Sequence, residues 1–464
     1  MNARILLTAT GSGCGKTTIT IALLKALAKR GLKVASFKCG PDYIDPMYHR
    51  KTLGIPAYNL DPFFCDTTNL KDILSRGLKG NDIGIIEGVM GYYDGYGSEG
   101  CASTWEVAER TDTSAILIVN AKGMSNSIGA ILRGFTCYKD NHHIKGVIFN
   151  NVSKGMYPML VDIAKSEGII PLGFMPHNPE VELESRHLGL VTADELKNIN
   201  NTINTLGEMA EEYLDIDAML KLANECGELE AAGVSLENAQ TKYDVNIDNR
   251  QEKSAAKSDD KKLRLAVAKD DAFCFIYQEN LDILSELGCE LVYFSPLEDD
   301  TLPEGCQGLY LPGGYPELHT DRLSQNETML QAIKEAIESG MPVIAECGGF
   351  MYLHERLEDK PMVGVIKGST SKQSRLVRFG YGTMKAKEDG MLLKKNESIR
   401  VHEFHYYDSD NNGDAFEITK ASNGIKYECA YSTNNMYAGY PHLYFRANIN
   451  VAKNFVNAMR DYRG

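Results

Sequence analysis

The chain has 464 residues, of which 43% are hydrophobic and 24% are charged, and its formal net charge is -14. This length predicts two large domains, and the composition is typical of a soluble globular protein rather than a disordered or coiled-coil one. The acidic surplus argues against nucleic acid as a partner, because a phosphate backbone requires a basic face. An anionic small molecule is still permitted, since it requires only a local basic cluster.

Targeting and cysteine patterns predict a cytoplasmic protein without a membrane segment. The apolar run at the N-terminus is too short for a secretory signal, and no apolar run is long enough to span a bilayer. The eleven cysteines are scattered and form no Cys-x-x-Cys pair. Reduced thiols in a cytosol fit this pattern best.

A polar stretch divides the chain into two halves. Residues 233–262 have few apolar side chains and no clear period, which predicts a linker between domains at 1–232 and 263–464. Residues 194–232 predict a helical region, because leucines and isoleucines recur there at three- and four-residue spacing.

Both halves alternate strand-like runs with helical stretches. The runs lie at 3–10, 33–40, 82–89, 114–120, 145–152 and 169–176 in the first half, and at 264–270, 290–296, 308–314 and 342–349 in the second. Near-continuous apolar strands of this kind predict parallel sheets covered on both faces. We therefore expect two three-layer α/β domains, with functional loops at the carboxyl ends of the strands.

A phosphate-binding loop is predicted directly after the first strand, in the segment GSGCGKTT. Gly11, Gly13 and Gly15 would let backbone N–H groups converge on phosphate oxygens without obstruction by a Cβ atom. Thr10 departs from the pattern G-x-x-x-x-G-K-[ST], since it stands where the first glycine belongs. The alternative is an ordinary glycine-rich turn from a strand to a helix.

Side chains in and near this loop are candidates for binding ATP. Lys16 would reach the terminal phosphates, the Thr17 hydroxyl would bind Mg²⁺, and Thr18 follows in the first helical turn. Asn150 ends a strand-like run and could read the adenine through its amide. A cap or turn role is the alternative for Asn150.

Carboxylates that follow two other strand-like runs are candidates for holding the metal. Asp45 lies in KCGPDYIDP, and Glu87 follows four residues of an apolar run. Carboxylate oxygens beside a phosphate loop suit Mg²⁺, so we predict a magnesium site of Thr17, Asp45 and Glu87. A helix cap or a turn is the alternative role for each carboxylate.

A second site is predicted around a cysteine in the sequence MPVIAECGGFMYL. The strand-like run ends at Cys347 and two glycines precede a helical pattern, which is typical of a tight turn that exposes a nucleophile. The helix N-terminus would depress the thiol pKa, and the N–H groups of Gly348 and Gly314 would form an oxyanion hole. His442 is the candidate base. A buried, unreactive thiol is the alternative.

Basic residues collect in one region of an otherwise acidic chain. Arg375, Arg378, Arg400 and His402 lie within 30 positions. They form either a solvated face or a site for a polycarboxylate substrate, and the sequence alone leaves both interpretations open.

The ordered motifs of both halves resemble one enzyme family. They are TGSGCGKTT, FKCGPDYIDP, EGVMGYYDG and RHLGL in the first half, and LPGGYPE, AECGG, RVHEFHY and HLYF in the second. This set resembles the cobyrinate a,c-diamide synthase family, the glutamine-dependent amidotransferases of cobalamin biosynthesis. The nickel-sirohydrochlorin a,c-diamide synthases and the cobyric acid synthases are close alternatives, and a nucleotide-switch protein with a degenerate glutaminase is a more distant one.

The resemblance implies a fold, an activity and several ligands. The first domain would be a P-loop domain of the dethiobiotin synthetase-like type, and the second a class I glutaminase-like α/β domain. Together they would amidate the a and c acetates of cobyrinic acid through an acyl phosphate, using ATP, Mg²⁺ and ammonia from L-glutamine. A homodimer is a further expectation.

The resemblance also implies roles for individual residues. Cys347 looks like the glutaminase nucleophile and His442 like its base. Class I glutaminases carry His-x-Glu, whereas Leu443 and Tyr444 follow the histidine here, so the acidic third member is missing at that position. The residues implied in metal, phosphate and substrate handling at the synthetase site are Asp42, Tyr43, Glu87 and Asp94.

Overall fold

The computed structural model describes residues 3–181, 193–229 and 262–463. The chain divides into two compact units, Met1–Val234 and Ser235–Gly464. The RHLGL motif at 186–190 and all of the polar stretch except Lys262 lie outside the described residues.

The first unit is built around a seven-stranded sheet in which every neighbouring pair is parallel. Its strands are β1 (Arg4–Ala9), β2 (Val34–Cys39), β3 (Ala57–Leu60), β4 (Ile83–Glu87), β5 (Ala115–Asn120), β6 (Ile144–Asn150) and β7 (Ile170–Met175), in the order β3-β2-β4-β1-β5-β6-β7. Its helices are α1 (Lys16–Lys29), α2 (Ile44–Leu53), α3 (Thr67–Leu78), α4 (Thr104–Thr111), α5 (Ser127–Cys137), α6 (Tyr157–Ser166), α7 (Ala193–Tyr213) and α8 (Ile216–Asn224). All the predicted strands of this half are present.

Two features of the first unit differ from the prediction. Strand β3 was not predicted, because its four residues AYNL give too short a pattern. The helical region before the polar stretch is two helices rather than one continuous run. Helix α7 ends before Leu214, which forms an isolated backbone bridge with Gly173. The Asp215 side chain then caps α8 by accepting the N–H of Ala218.

The central strands β1, β2 and β4 are fully buried, as expected for a parallel sheet covered on both faces. One face packs against α1, α7 and α8, whose apolar side chains form a continuous core with those of the sheet. Because parallel strands end at the same edge, this arrangement brings the loops after β1, β2 and β4 together.

The second unit contains a six-stranded sheet. Its strands are β8 (Leu263–Ala268), β10 (Cys289–Phe294), β11 (Gly308–Leu311), β13 (Val343–Glu346), β22 (Tyr431–Ser432) and β23 (Met436–Gly439). They lie in the order β10-β8-β11-β13-β23-β22, and all neighbouring pairs are parallel except the last. Its helices are α9 (Gln278–Glu286), α10 (Thr320–Gln325), α11 (Glu327–Glu338), α12 (Gly348–Tyr352) and α13 (Ile449–Asp461).

Three smaller sheets complete the second unit, and the sequence did not predict them. Their strands are β9 (Phe273–Phe275), β12 (Gly313–Gly314), β14 (His354–Leu357), β15 (Lys360–Pro361), β16 (Ile366–Lys372), β17 (Arg378–Ala386), β18 (Ser398–His405), β19 (Tyr407–Ser409), β20 (Phe416–Lys420), β21 (Lys426–Cys429) and β24 (His442–Leu443). The largest has the order β21-β20-β17-β18-β24 and is antiparallel throughout. It positions His442 at the start of β24.

Across the described ranges, no helix is both long and apolar enough to cross a membrane. All eleven cysteines fall in these ranges, and each is a free thiol.

Candidate active sites

The loop after β1 has the backbone shape of a phosphate cradle. Gly13 (φ 74°) and Gly15 (φ 93°) adopt left-handed conformations that favour glycine, and Gly15 caps α1. A Cβ atom on Gly15 would lie 2.2 Å from the Asn150 amide nitrogen, which donates to the Cys14 carbonyl at 2.9 Å. Asn150 therefore lies against the loop and supports its backbone. Adenine recognition through the same amide stays a prediction.

The side chains at the start of α1 connect the loop to the neighbouring strands. Lys16 donates to the carbonyls of Gly11, at 3.0 Å, and Met90. The Thr17 hydroxyl donates to Oε1 of Glu87 at 2.7 Å, and Thr18 follows in the same helical turn. The predicted ATP-binding residues thus lie together at one edge of the sheet.

A buried lysine that the sequence analysis missed lies at the centre of this site. Lys38 is on β2, and its Nζ atom pairs with Asp45 and, at 2.9 Å, with Oε1 of Glu87. Asp42 is 3.9 Å away. Burial alone would lower the pKa of Lys38, but the surrounding carboxylates outweigh burial and raise that pKa well above its usual value. Lys38 is therefore a fixed positive charge.

The pKa of Glu87 is raised, although Lys38 lies beside it. Burial, followed by the charge of Asp45, raises the pKa of Glu87 to about 7. Its Oε2 atom is buried and has no hydrogen-bond partner among the described residues. An unsatisfied carboxylate oxygen beside Thr17 fits a magnesium ion, whereas Asp45 is already engaged by Lys38.

No three acidic, histidine or cysteine side chains of the described residues form a complete metal cage. This agrees with the chemistry of Mg²⁺, which usually takes one or two carboxylates and fills its remaining positions with substrate phosphates and water. The magnesium site of Thr17, Asp45 and Glu87 stays a prediction.

Three other predicted residues surround this edge of the sheet. Asp42 accepts the N–H of Ile44 at 2.8 Å, and Tyr43 is the cap residue of α2. Asp94 is exposed and accepts the N–H of Gly91 at 2.9 Å, so it closes the turn after β4. All three have local backbone roles in addition to any contact with a ligand.

In the second unit, Cys347 lies on a strained turn between β13 and α12. Its backbone has φ 46° and ψ -102°, in the left-handed region that side chains rarely adopt. The Cys347 N–H donates to the Gly439 carbonyl at 2.8 Å, which fixes the turn against β23. This is the strand–turn–helix geometry expected for a nucleophile.

The electrostatic surroundings of the thiol correct one expectation. We expected the helix N-terminus to depress the pKa of Cys347, but burial, with a further contribution from Glu317, raises this pKa. The N–H of Gly348 acts in the opposite direction but is weaker than burial. Helix α12 has only five residues, so its dipole is small.

Glycines pack closely around the thiol. A Cβ atom on Gly348 would lie 2.9 Å from the backbone nitrogen of Gly314, so the two predicted oxyanion-hole amides are neighbours. A Cβ atom on Gly313 would lie 2.5 Å from Cε1 of His442 and 3.3 Å from Cβ of Cys347. Cys347 and His442 therefore both lie next to the position that a Cβ atom of residue 313 would occupy. Because residue 313 is glycine, that position is empty.

A carboxylate stands beside His442, although none follows it in the sequence. Oε2 of Glu346 lies 3.7 Å from Nδ1 of His442, and both side chains are buried. Glu346 also accepts the N–H of Leu443 at 3.0 Å and the hydroxyl of Tyr310 at 3.2 Å. The predicted glutaminase site thus contains an acidic side chain, from the residue that directly precedes Cys347.

The four predicted basic residues do not form one surface. Arg378 pairs with His405 across β17 and β18, whereas Arg400 and His402 occupy even-numbered positions of β18 and project to the other face. Arg375 lies before β17 and is exposed. His402 pairs in register with His442, and burial lowers its pKa to about 3, so it is a neutral neighbour of the glutaminase site.

Comparisons with known proteins agree with this pair of sites. Residues 5–191 match the CobQ/CobB/MinD/ParA nucleotide binding domain, and residues 264–449 match the CobB/CobQ-like glutamine amidotransferase domain. The chain is 38% identical to the cobyrinate a,c-diamide synthase of Clostridium acetobutylicum over 460 residues, 97% of this chain and 99% of that relative. The chain belongs to the cobyrinate a,c-diamide synthase family.

A second relative carries the same family name. The cobyrinate a,c-diamide synthase of Caldanaerobacter subterraneus is 36% identical over 447 residues, which is 94% of each chain. Among solved structures, PurLQS from Thermotoga maritima matches at 19% identity with a TM-score of 0.34, covering 43% of this chain and 99% of that one. The two family matches confirm the predicted pairing of a nucleotide-binding half with a glutamine amidotransferase half.

Proposed function

We propose that this chain uses ATP and glutamine to convert the a and c acetate carboxylates of cobyrinic acid into amides. Similarity to cobyrinate a,c-diamide synthases over nearly the whole chain carries this proposal. The geometry supports it, because one unit holds a phosphate loop with buried carboxylates and the other holds a thiol beside a histidine.

Cys347 and His442 release ammonia in the second unit. The Cys347 sulfur attacks the carboxamide carbon of glutamine, and His442 takes the thiol proton and delivers it to the departing ammonia. The N–H groups of Gly314 and Gly348 stabilise the oxyanion. Water then hydrolyses the γ-glutamyl thioester to glutamate and restores the thiol. Glu346 acts as a positioning residue that orients His442.

The first unit activates the carboxylate. The glycines of the phosphate loop, with Lys16 and the first turn of α1, bind the ATP phosphates. A substrate carboxylate oxygen attacks the γ-phosphorus, ADP leaves, and ammonia then displaces phosphate from the acyl phosphate to give the amide. Lys38 holds Asp45 and Glu87 in place with its buried charge.

Thr17 and Glu87 are the residues that would hold Mg²⁺, which neutralises charge on the transferring phosphoryl group when it is bound. The unsatisfied Glu87 oxygen supports this assignment.

Use of ATP and the eleven free thiols support a cytoplasmic location. A homodimer stays a prediction, which light scattering of the purified chain would test.

The decisive experiment is a reaction of the purified chain with cobyrinic acid, ATP, MgCl₂ and glutamine, followed by mass spectrometry at completion. We expect two carboxyl groups to become amides and the reaction to stop there. Further amides on the same corrinoid would indicate a cobyric acid synthase. Amidation of nickel-sirohydrochlorin but of no corrinoid would indicate the nickel-specific family. ATP hydrolysis without amide formation on either compound would contradict the proposal.

A further inference from the structure

A cleft of about 720 Å³ opens beside the phosphate loop of the first unit. Thr10 and Ser12 of that loop line it, together with Met90 and Asp94 from the segment after β4. This volume lies within the range of roughly 300–1,000 Å³ that small-molecule sites occupy. The cleft therefore has room for the body of a ligand whose reacting group lies at the phosphate loop.

Much of the remaining lining is aromatic. Trp105 comes from α4, and Phe135 and Tyr138 come from α5 and the residue that follows it. The ring of Tyr93 lies 4.9 Å from that of Tyr138 and 5.7 Å from that of Phe135, between ring centroids. The Nζ atom of Lys139 lies 4.7 Å from the centroid of Trp105. The cleft thus combines a group of rings with one cation, Lys139, and with the carboxylates of Asp94 and Glu99.

The polar atoms of two of these rings, Trp105 and Tyr93, are already bonded to backbone carbonyls. Nε1 of Trp105 donates to the Asn141 carbonyl at 2.8 Å, and the Tyr93 hydroxyl donates to the Phe135 carbonyl at 2.5 Å. Tyr138 is 68% exposed and Met90 is 40% exposed, although both are large and apolar. Apolar surface that stays exposed next to a reactive loop indicates a binding site for a ligand with an apolar face.

We propose that this cleft binds one face of the tetrapyrrole macrocycle, with a peripheral carboxylate directed toward the phosphate loop. This inference rests on the proposed function, since the substrate carboxylate must reach the γ-phosphate while the ring lies nearby. A macrocycle offers a broad apolar face to the aromatic side chains. Its outer carboxylates match the ammonium group of Lys139.

The chain provides its own probe for this site, because Trp105 is its only tryptophan. We would titrate the full chain separately with cobyrinic acid, with ATP, and with citrate as a polycarboxylate that lacks a ring, and record Trp105 fluorescence. Cobyrinic acid should quench the emission with saturation, and citrate should not. Equal effects of citrate and cobyrinic acid would overturn the proposal. Saturating quenching by ATP that competes with cobyrinic acid would instead assign the cleft to the adenine.

A coloured macrocycle can quench Trp105 emission over a distance, so quenching alone does not show that it binds in the cleft. Variants of the cleft are therefore needed. Tyr138→Ala should raise the concentration of cobyrinic acid at half-quenching, and its Michaelis constant, by about three- to tenfold. The Michaelis constant for ATP should stay within about twofold, which also shows that the variant is folded. Tyr293→Ala is the matched control, because Lys269 lies 4.6 Å from the Tyr293 ring in the second unit and repeats the pairing of lysine and ring.

The outcomes separate this inference from the proposed function. If the wild-type chain makes the diamide but Tyr138→Ala shifts neither constant, the cleft proposal is wrong and the proposed function stands. If no corrinoid is amidated, the proposed function fails, and the fluorescence midpoints alone decide whether the cleft binds the macrocycle. A change of oligomeric state in Tyr138→Ala would show that a second copy of the chain covers the cleft, which also overturns the proposal.

Discussion

Nδ1 of His442 lies 3.7 Å from Oε2 of Glu346, the residue that precedes the predicted nucleophile Cys347. The carboxylate also accepts the N–H of Leu443, so it binds the same short strand that carries the histidine. The predicted base of this chain thus has an acid beside it, although no His-x-Glu sequence is present there. Because the acid and the nucleophile are adjacent in the chain, the turn at Cys347 positions both.

We expect Glu346→Gln to lower kcat of the glutamine-dependent reaction by about tenfold or more, because His442 loses its charged partner. The rate with ammonium salts should change little, and Glu346→Asp should recover part of the loss. Steady-state rates with the two nitrogen donors measure this. Glu355→Gln, at an exposed carboxylate of the same unit, is the control. Equal losses with both donors would show that Glu346 only supports the fold.

Cys347→Ala should abolish synthesis with glutamine and preserve synthesis with ammonium salts. The thiol acts only in the release of ammonia, which external ammonia replaces. Product formation with each donor, followed by mass spectrometry, checks this. A variant that is inactive with ammonium salts but still binds ATP would contradict the assignment of separate reactions to the two units.

Alkylation of Cys347 in the glutamine-free protein should be slow at neutral pH. Burial raises the pKa of this thiol, so the reactive thiolate is scarce, and the rate should rise steadily with pH up to pH 9. Iodoacetamide labelling followed by peptide mass spectrometry measures the rate. The exposed Cys137 reacts in the same sample and serves as the internal standard. A plateau below pH 8 would show a depressed pKa instead.

Lys38→Met should lower the free energy of unfolding of the first unit by about 3–5 kcal/mol, because it leaves Asp45 and Glu87 buried without their counter-charge. Addition of MgCl₂ and ADP should recover part of the loss if the metal binds beside Glu87. Thermal unfolding with and without these ligands measures both effects. Lys29→Met, which removes an exposed pair with Glu208, should cost no more than about 1 kcal/mol.

The sequence predicted the parallel sheet of the first unit and the turn at Cys347, because both follow from local patterns of apolar residues and glycine. It did not reveal Lys38 as a site residue, although a lysine within an otherwise apolar strand is an available signal. The role of Glu346 depends on a contact with a residue almost a hundred positions away, which no local pattern contains.

The predicted cluster of basic residues shows a second limit of prediction from the sequence. Arg378 and Arg400 are close in sequence terms, but strand pairing places them on opposite faces of one sheet. If β17 paired with β18 one residue out of this register, Arg378 and Arg400 would lie on the same face of the sheet. The sequence pattern does not fix the register of β17 against β18. The same reason explains why the small antiparallel sheets of the second unit were missed.

The empty point between Cys347 and His442 exists because residue 313 is glycine. Its backbone is not in the left-handed region, so the obstacle to alanine is space: the added Cβ atom would lie 2.5 Å from Cε1 of His442 and 3.3 Å from the Cβ atoms of Cys347 and Phe275. Gly313→Ala would therefore separate the nucleophile from its base with a single methyl group. A cell that carried this allele would depend on free ammonium for these two amides, and its growth without external cobalamin would follow the nitrogen source in the medium.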